Sequence, residues 1–204
     1  RGCQSRAVFA YDERLRLFPD YLQQLEMESN GKSVTADGQP LGRPSAPITW
    51  GGVGTDAQHA VFQLLHQGTN LVPVDFIAVI EPGDGLDPAH HRNLLANCFA
   101  QGAALMAGRT SPDGARAYPG DRPSATILCD DLNPATLGAL IAFHEHRTFA
   151  NGVLLGTSDV WAHQWLWPGI VSAFTDWPEN FATWVSPGKS TALRVLEDIG
   201  YYCV

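Results

Sequence analysis

Two consecutive strand-and-helix units in the middle of the chain constrain its fold most. "NLVPVDFIAVI", from Asn70 to Ile80, is a near-continuous apolar run of strand length bounded by turn residues. Such a run has both faces buried, as in a parallel sheet. It is followed by "DPAHHRNLLANCFAQGAALMAGR", with Asp87 at a cap position and Pro88 at the first helical position. The aspartate accepts from otherwise unpaired amides, and proline has no amide to leave unpaired. The pattern then repeats. "SATILCD" reads as another buried strand, and "NPATLGALIAFHEHRTFA" as a second helix opened by Asn133 and Pro134. This alternation predicts an α/β domain, with helices covering a parallel sheet and ligands bound at the carboxyl ends of the strands.

The flanks are less regular. From Ala7 to Glu28, Phe9, Leu15, Leu17, Phe18, Tyr21, Leu22, Leu25 and Met27 fit helical spacing loosely, with Pro19 restarting the helix and Asp20 capping its second piece. Residues 31–46 read as turns around a short hairpin, "SVTADGQPLG", and "PITWGG" as a brief strand. Thr55 opens a helix through "TDAQHAVFQLLHQG", and Gly68 stops it. Five of the six tryptophans, Trp161, Trp165, Trp167, Trp177 and Trp184, fall in the last stretch, which Pro168, Pro178 and Pro187 interrupt. Gly156 is therefore the expected boundary between a domain over 1–156 and an irregular appendage over 157–204.

A formal net charge of −8 gives no electrostatic reason to approach nucleic acid or an anionic membrane. No apolar run has the length of a membrane span, and the opening "RGCQSRAVFAYDERL" lacks the order of a secretory signal. The expected compartment is the cytoplasm. Cys3, Cys98, Cys129 and Cys203 form no C-x-x-C pair and read as reduced thiols.

Among groups able to carry chemistry, Gln24 and Glu28 stand one helical turn apart, so an amide and a carboxylate can converge on one ligand. A solvated helix end is the plainer reading of that pair. Glu26 points about 200° away from Glu28 and forms no dyad with it. His59 follows the glycine-rich "WGGVGT" near a helix start, where an imidazole can transfer protons near neutral pH. His66, His90-His91 and His144-Glu145-His146 lack a metal-ligand spacing and read as structural, so no metal is expected. The glycines do not complete a dinucleotide fingerprint and no Walker lysine is present, so no nucleotide cofactor is expected either.

Six collinear blocks carry a resemblance over about 150 residues: "YDERLRLFPDYLQQLEMESNGKSV", "GTDAQHAVFQLLHQGT", "VPVDFIAV", "HHRNLLANCFAQGAAL", "PGDRPSATIL" and "TLGALIAFHEHRTFANGVLLG". In this order they resemble the later part of the glucose-6-phosphate isomerase family. The resemblance implies a flavodoxin-like sugar-isomerase domain, its parallel sheet flanked by helices. It also implies aldose-ketose interconversion of glucose 6-phosphate and fructose 6-phosphate through a cis-enediol. Glu28 matches the base that shuttles the proton, and Gln24 matches a substrate-contacting glutamine. His59 matches the ring-opening histidine, which in the family reaches the site from the other subunit of a homodimer.

The same resemblance implies that the Ser/Thr-rich phosphate loop and an active-site arginine belong to an earlier domain, and that a lysine closes the site. The stretch "TSDVWAHQWLWPGIV" departs from the family's ending, and Val171 stands where the lysine is expected. The expectation is therefore a truncated, frameshifted or fused product, inactive or weak alone. The alternatives are a non-catalytic sugar-phosphate-binding module and an orphan domain that self-associates through uncovered apolar surface.

Overall fold

The structure is a computed structural model that describes residues 2–83 and 85–157; the tryptophan-rich stretch, with His163, Gln164 and Lys189, lies outside the described residues. Four parallel strands form one sheet in the order β2-β1-β3-β4: β1 (Ser5–Tyr11), β2 (Ile48–Val53), β3 (Val74–Val79) and β4 (Ser124–Cys129). Helices α1 (Phe18–Asn30), α2 (Gly54–Ala60), α3 (Phe62–Gln67), α4 (Pro88–Ala107) and α5 (Pro134–Leu155) connect and flank them. The α/β fold read from the sequence, a parallel sheet flanked by helices, is the observed one, and its order is that of flavodoxin-like sheets.

The two strand-and-helix units that carried the expectation both form, with their helix starts as read. Asp87 accepts from the Ala89 amide and Asn133 from the Thr136 amide, each with proline in the first turn of its helix. Gly156 ends α5 in a left-handed conformation, φ 74°, which glycine adopts without a Cβ clash. The hairpin expected at residues 33–42 is reduced to one antiparallel bridge, Val34 with Pro40.

Period-two alternation in β1 divides the core. Val8 and Ala10 face α1 and α5, where they meet Leu22, Leu25, Ile77, Val79, Leu137 and Leu140. Ala7, Phe9 and Tyr11 face the other way, against Phe62, Leu65, Phe76, Cys98 and Leu105 from α3, β3 and α4. Three layers result, with β1 buried at their centre.

Four expectations are corrected. Residues 5–11 are a strand, not the start of a helix, because pairing with β2 on one side and β3 on the other satisfies their backbone. Leu17, not Asp20, occupies the cap position of α1, with Pro19 inside its first turn. The helix expected from Thr55 to Gly68 is broken in two at Val61, φ −129°, and Thr55 is not its cap. Finally, β4 is not buried on both faces: among the described residues it has one neighbouring strand, and Leu128 is exposed.

Candidate functional site

The α1 helix leaves the carboxyl end of β1 and returns to the amino end of β2, so it runs antiparallel to the sheet. Its last residue, Asn30, accepts a backbone bond from Ala46, just ahead of β2. Gln24 and Glu28 project from the outer face of this last part of α1. Both are exposed, and Gln24 Nε2 donates to Glu28 Oε2 at 3.2 Å. The amide therefore holds one carboxylate oxygen in place while leaving the other open to a ligand.

The pair lies at the amino ends of the strands, whereas the alternation of strand and helix pointed to ligands at the carboxyl ends. Covering by another body would have to supply any desolvation of this carboxylate.

Glu26, two residues earlier, is turned inward and is 4% exposed. Its Oε1 accepts from Arg6 Nη1 at 2.5 Å and also from Arg147 Nη2, and its Oε2 accepts from Thr49 Oγ1 at 2.8 Å. Asp75 completes the cluster, accepting from Arg6 Nε at 3.0 Å and Arg147 Nη1 at 3.1 Å. Two guanidiniums thus share two carboxylates, joining β1, β2, β3, α1 and α5 beneath the Glu28 turn. Buried charges are tolerated only when paired and hydrogen-bonded in this way. Sequence reasoning placed Glu26 off the Glu28 face but missed this cluster, whose members are 20 to 121 residues apart in their pairings.

His59 occupies the opposite end of the sheet. β2 runs from Ile48 to Val53, and α2 begins at once with Gly54. Two glycines permit this tight entry. A Cβ on Gly51 would stand 1.8 Å from the Val8 carbonyl oxygen, and one on Gly54 would stand 2.2 Å from the Tyr11 ring. The neighbouring Gln58 donates from Nε2 to Tyr11 Oη at 3.2 Å, tying α2 to the carboxyl end of β1. His59 itself is exposed and lies in the last turn of α2, not at its start, since Val61 ends the helix. A strand of six residues, roughly 20 Å, separates the two ends of the sheet. One chain therefore brings Gln24 to Glu28 but not His59 to either.

The remaining histidines are placed by packing. His91 Nε2 lies 2.9 Å from the Val79 carbonyl and 2.8 Å from that of Ile80, and His66 Nε2 lies 3.0 Å from Gln101 Oε1. His144 is fully buried between Phe18 and Phe143, while Glu145 and His146 are exposed. Among the described residues no group of three or more His, Cys, Asp or Glu side chains could hold a metal ion. No described helix is long and apolar enough to cross a membrane.

Comparison with known proteins agrees with this architecture. The family model described as phosphoglucose isomerase matches residues 1–165, running past Gly156. A glucose-6-phosphate isomerase from Novosphingobium aromaticivorans is 83% identical over 156 residues, which are 76% of this chain and 31% of that relative. One from Zymomonas mobilis is 65% identical over 182 residues, 88% of this chain and 36% of its own length. The crystal structure of a glucose-6-phosphate isomerase from Chlamydia trachomatis superposes with a TM-score of 0.74 at 33% identity, covering 97% of this chain and 38% of that one. The chain thus spans about a third of the length of the curated relatives it matches. With the fold, the family model over residues 1–165 and the curated relatives in agreement, the chain belongs to the phosphoglucose isomerase family.

Proposed function

We propose that this chain supplies the carboxylate-and-amide part of an aldose-ketose isomerase site acting on glucose 6-phosphate and fructose 6-phosphate. The observation that carries this reading is the Gln24–Glu28 pair, hydrogen-bonded and open to solvent on α1. In the open-chain aldose, Glu28 takes the proton from C2, next to the carbonyl, as O1 gains a proton, and a cis-enediol forms. Return of the carboxylate's proton to C1, as O2 gives up its own, gives the ketose, so one carboxylate serves both half-reactions. Gln24 orients the carboxylate and contacts the sugar.

His59 sits at the far end of the same sheet, which supports a site completed by a second copy, in a homodimer whose sites each take Glu28 from one chain and His59 from the other. The imidazole assists ring opening. The phosphate-binding loop and a closing cation come from polypeptide beyond the matched third, and positioning by them accounts for a large share of the rate. Alone, the 204-residue chain is inactive or very weak. The free thiols of Cys3, Cys98 and Cys129 fit a reducing, cytoplasmic setting. Family membership does not favour a non-catalytic module or an orphan domain. The boundary at Gly156, with a separate appendage over 157–204, stands as part of this proposal.

Solvent-deuterium exchange into fructose 6-phosphate at C1 is the test, because it reads enediol formation from the open-chain ketone without needing ring opening. At high protein concentration the expected outcome is slow exchange, abolished by Glu28→Gln and only reduced by His59→Ala. Exchange that survives Glu28→Gln would overturn the assignment.

A further inference from the structure

The face opposite the Glu28 turn carries a cavity of about 650 Å³ between α3, α4 and the loop that follows α4. Small residues of α4, Ala100 and Ala104, leave the space, and Tyr118 and Phe62 bound it. The loop is held in place: Gln67 Nε2 donates to the carbonyls of Ala115 at 3.0 Å and Ala117 at 2.7 Å, and Arg109 and Tyr118 exchange backbone bonds at 2.8 and 3.0 Å. The wall is therefore built, not a chance gap between side chains.

Its chemistry differs from that of the chain as a whole. The net charge of the protein is −8, yet the cavity is lined by two arginines, Arg109 and Arg116, and by no carboxylate. Arg116 Nε has Asp113 Oδ2 at 3.4 Å on the solvent side, a loose exposed pair, whereas the Arg109 guanidinium has no carboxylate partner among the described residues. Gln58, whose Nε2 donates to Tyr11 Oη, and Gln101, whose Oε1 lies against His66 Nε2, also line the space. Guanidiniums match phosphate oxygens in their fork geometry, carboxamides both donate to and accept from hydroxyls, and aromatic faces pack against the C–H face of a polyol.

We infer that this cavity binds a phosphate monoester of a small polyol or sugar, at a site distinct from the Gln24–Glu28 turn. Arg109 and Arg116 hold the phosphate, and Gln58 and Gln101 meet the hydroxyls. The site does not depend on the isomerase proposal, since it shares no residue with it.

Titration of the ¹⁵N-labelled 204-residue chain with glycerol 3-phosphate, followed by amide chemical shifts, tests this. The expected result is saturable shifts in residues 58–67 and 101–118, including the Gln101 side-chain amide. Arg109→Ala should weaken binding by about tenfold, the loss of one charge-assisted pair. Arg116→Ala should weaken it too, while Gln24→Ala and Glu28→Gln should leave it unchanged. Equal shifts with sodium chloride or with glycerol alone would overturn the inference. So would an unaltered response in Arg109→Ala, or silence at these residues, including silence because a second copy covers the cavity.

Discussion

Glu26 and Glu28 lie two residues apart on one helix and have opposite surroundings: Glu26 is enclosed and paired with Arg6 at 2.5 Å, while Glu28 is exposed and, among the described residues, met by Gln24 at 3.2 Å. The buried carboxylate fixes the helix against the sheet, and the exposed one faces solvent. That division follows from the roughly 200° between positions i and i+2 on a helix.

Removal of Glu26 should therefore be costly. Glu26→Ala leaves Arg6 and Arg147 sharing only Asp75 in a buried setting, and the expected loss is about 3–5 kcal/mol of folding stability. Glu28→Gln, at an exposed position, should change stability by no more than about 0.5 kcal/mol. Urea unfolding of the two variants would read this contrast. Similar midpoints for both would show that the Arg6 cluster does not anchor α1.

His144 should make the fold sensitive to acid. It is fully buried, and both ring nitrogens are enclosed without a partner among the described residues. Burial, helped by the nearby Arg6 charge, holds its pKa down at about 4, from an ordinary 6.5. Its neutral form is the one the fold accepts, so this contribution is fully present above pH 6.5 and is lost as pH falls from 6.5 towards 4. Integrated over that window, the loss is about 3 kcal/mol. In His144→Phe the part of the acid-side decline that falls within this window should flatten, as measured by urea midpoints from pH 8 to pH 4.

Two glycines at the entry to α2 should not tolerate a methyl group equally. Gly51→Ala drives a Cβ against the Val8 carbonyl at 1.8 Å, so the β1–β2 backbone must part, whereas Gly54→Ala meets the Tyr11 ring at 2.2 Å. Overpacking of the second kind costs about 1–3 kcal/mol. Gly51→Ala should exceed it, and thermal unfolding would rank the pair. The Gly54 variant should also displace the Gln58–Tyr11 contact, visible as a shift of the Tyr11 ring resonances.

Thiol chemistry gives an independent check on the core. Burial pushes the Cys98 thiol up to about 12 and also raises that of Cys129, while Cys3 is half-exposed. A thiolate is the reactive form, so iodoacetamide at pH 8 should label Cys3 and spare Cys98 and Cys129 until the chain is unfolded. Peptide mapping by mass spectrometry would decide it.

Read alone, the sequence determined the two central strand-helix units and the identity of the candidate site residues. "VDFIAV" and "SATILC" are recognisable as strands because their signal is local, and Asp87-Pro88 and Asn133-Pro134 mark their helices because a cap bonds within three residues. Gln24 and Glu28 could be paired because they are one turn apart, but spacing alone favoured a solvated helix end, and only the family resemblance singled them out. Tertiary structure decided what depends on distant partners. Ser5–Tyr11 is a strand only because two other strands flank it, and Glu26 is an anchor only because Arg6 and Arg147 come to it across 20 and 121 residues. Gln24 and Glu28 lie at one end of the sheet and His59 at the other because a parallel crossover returns α1 to the amino end of β2 before α2 leaves its carboxyl end. No spacing within a sequence records that direction of travel.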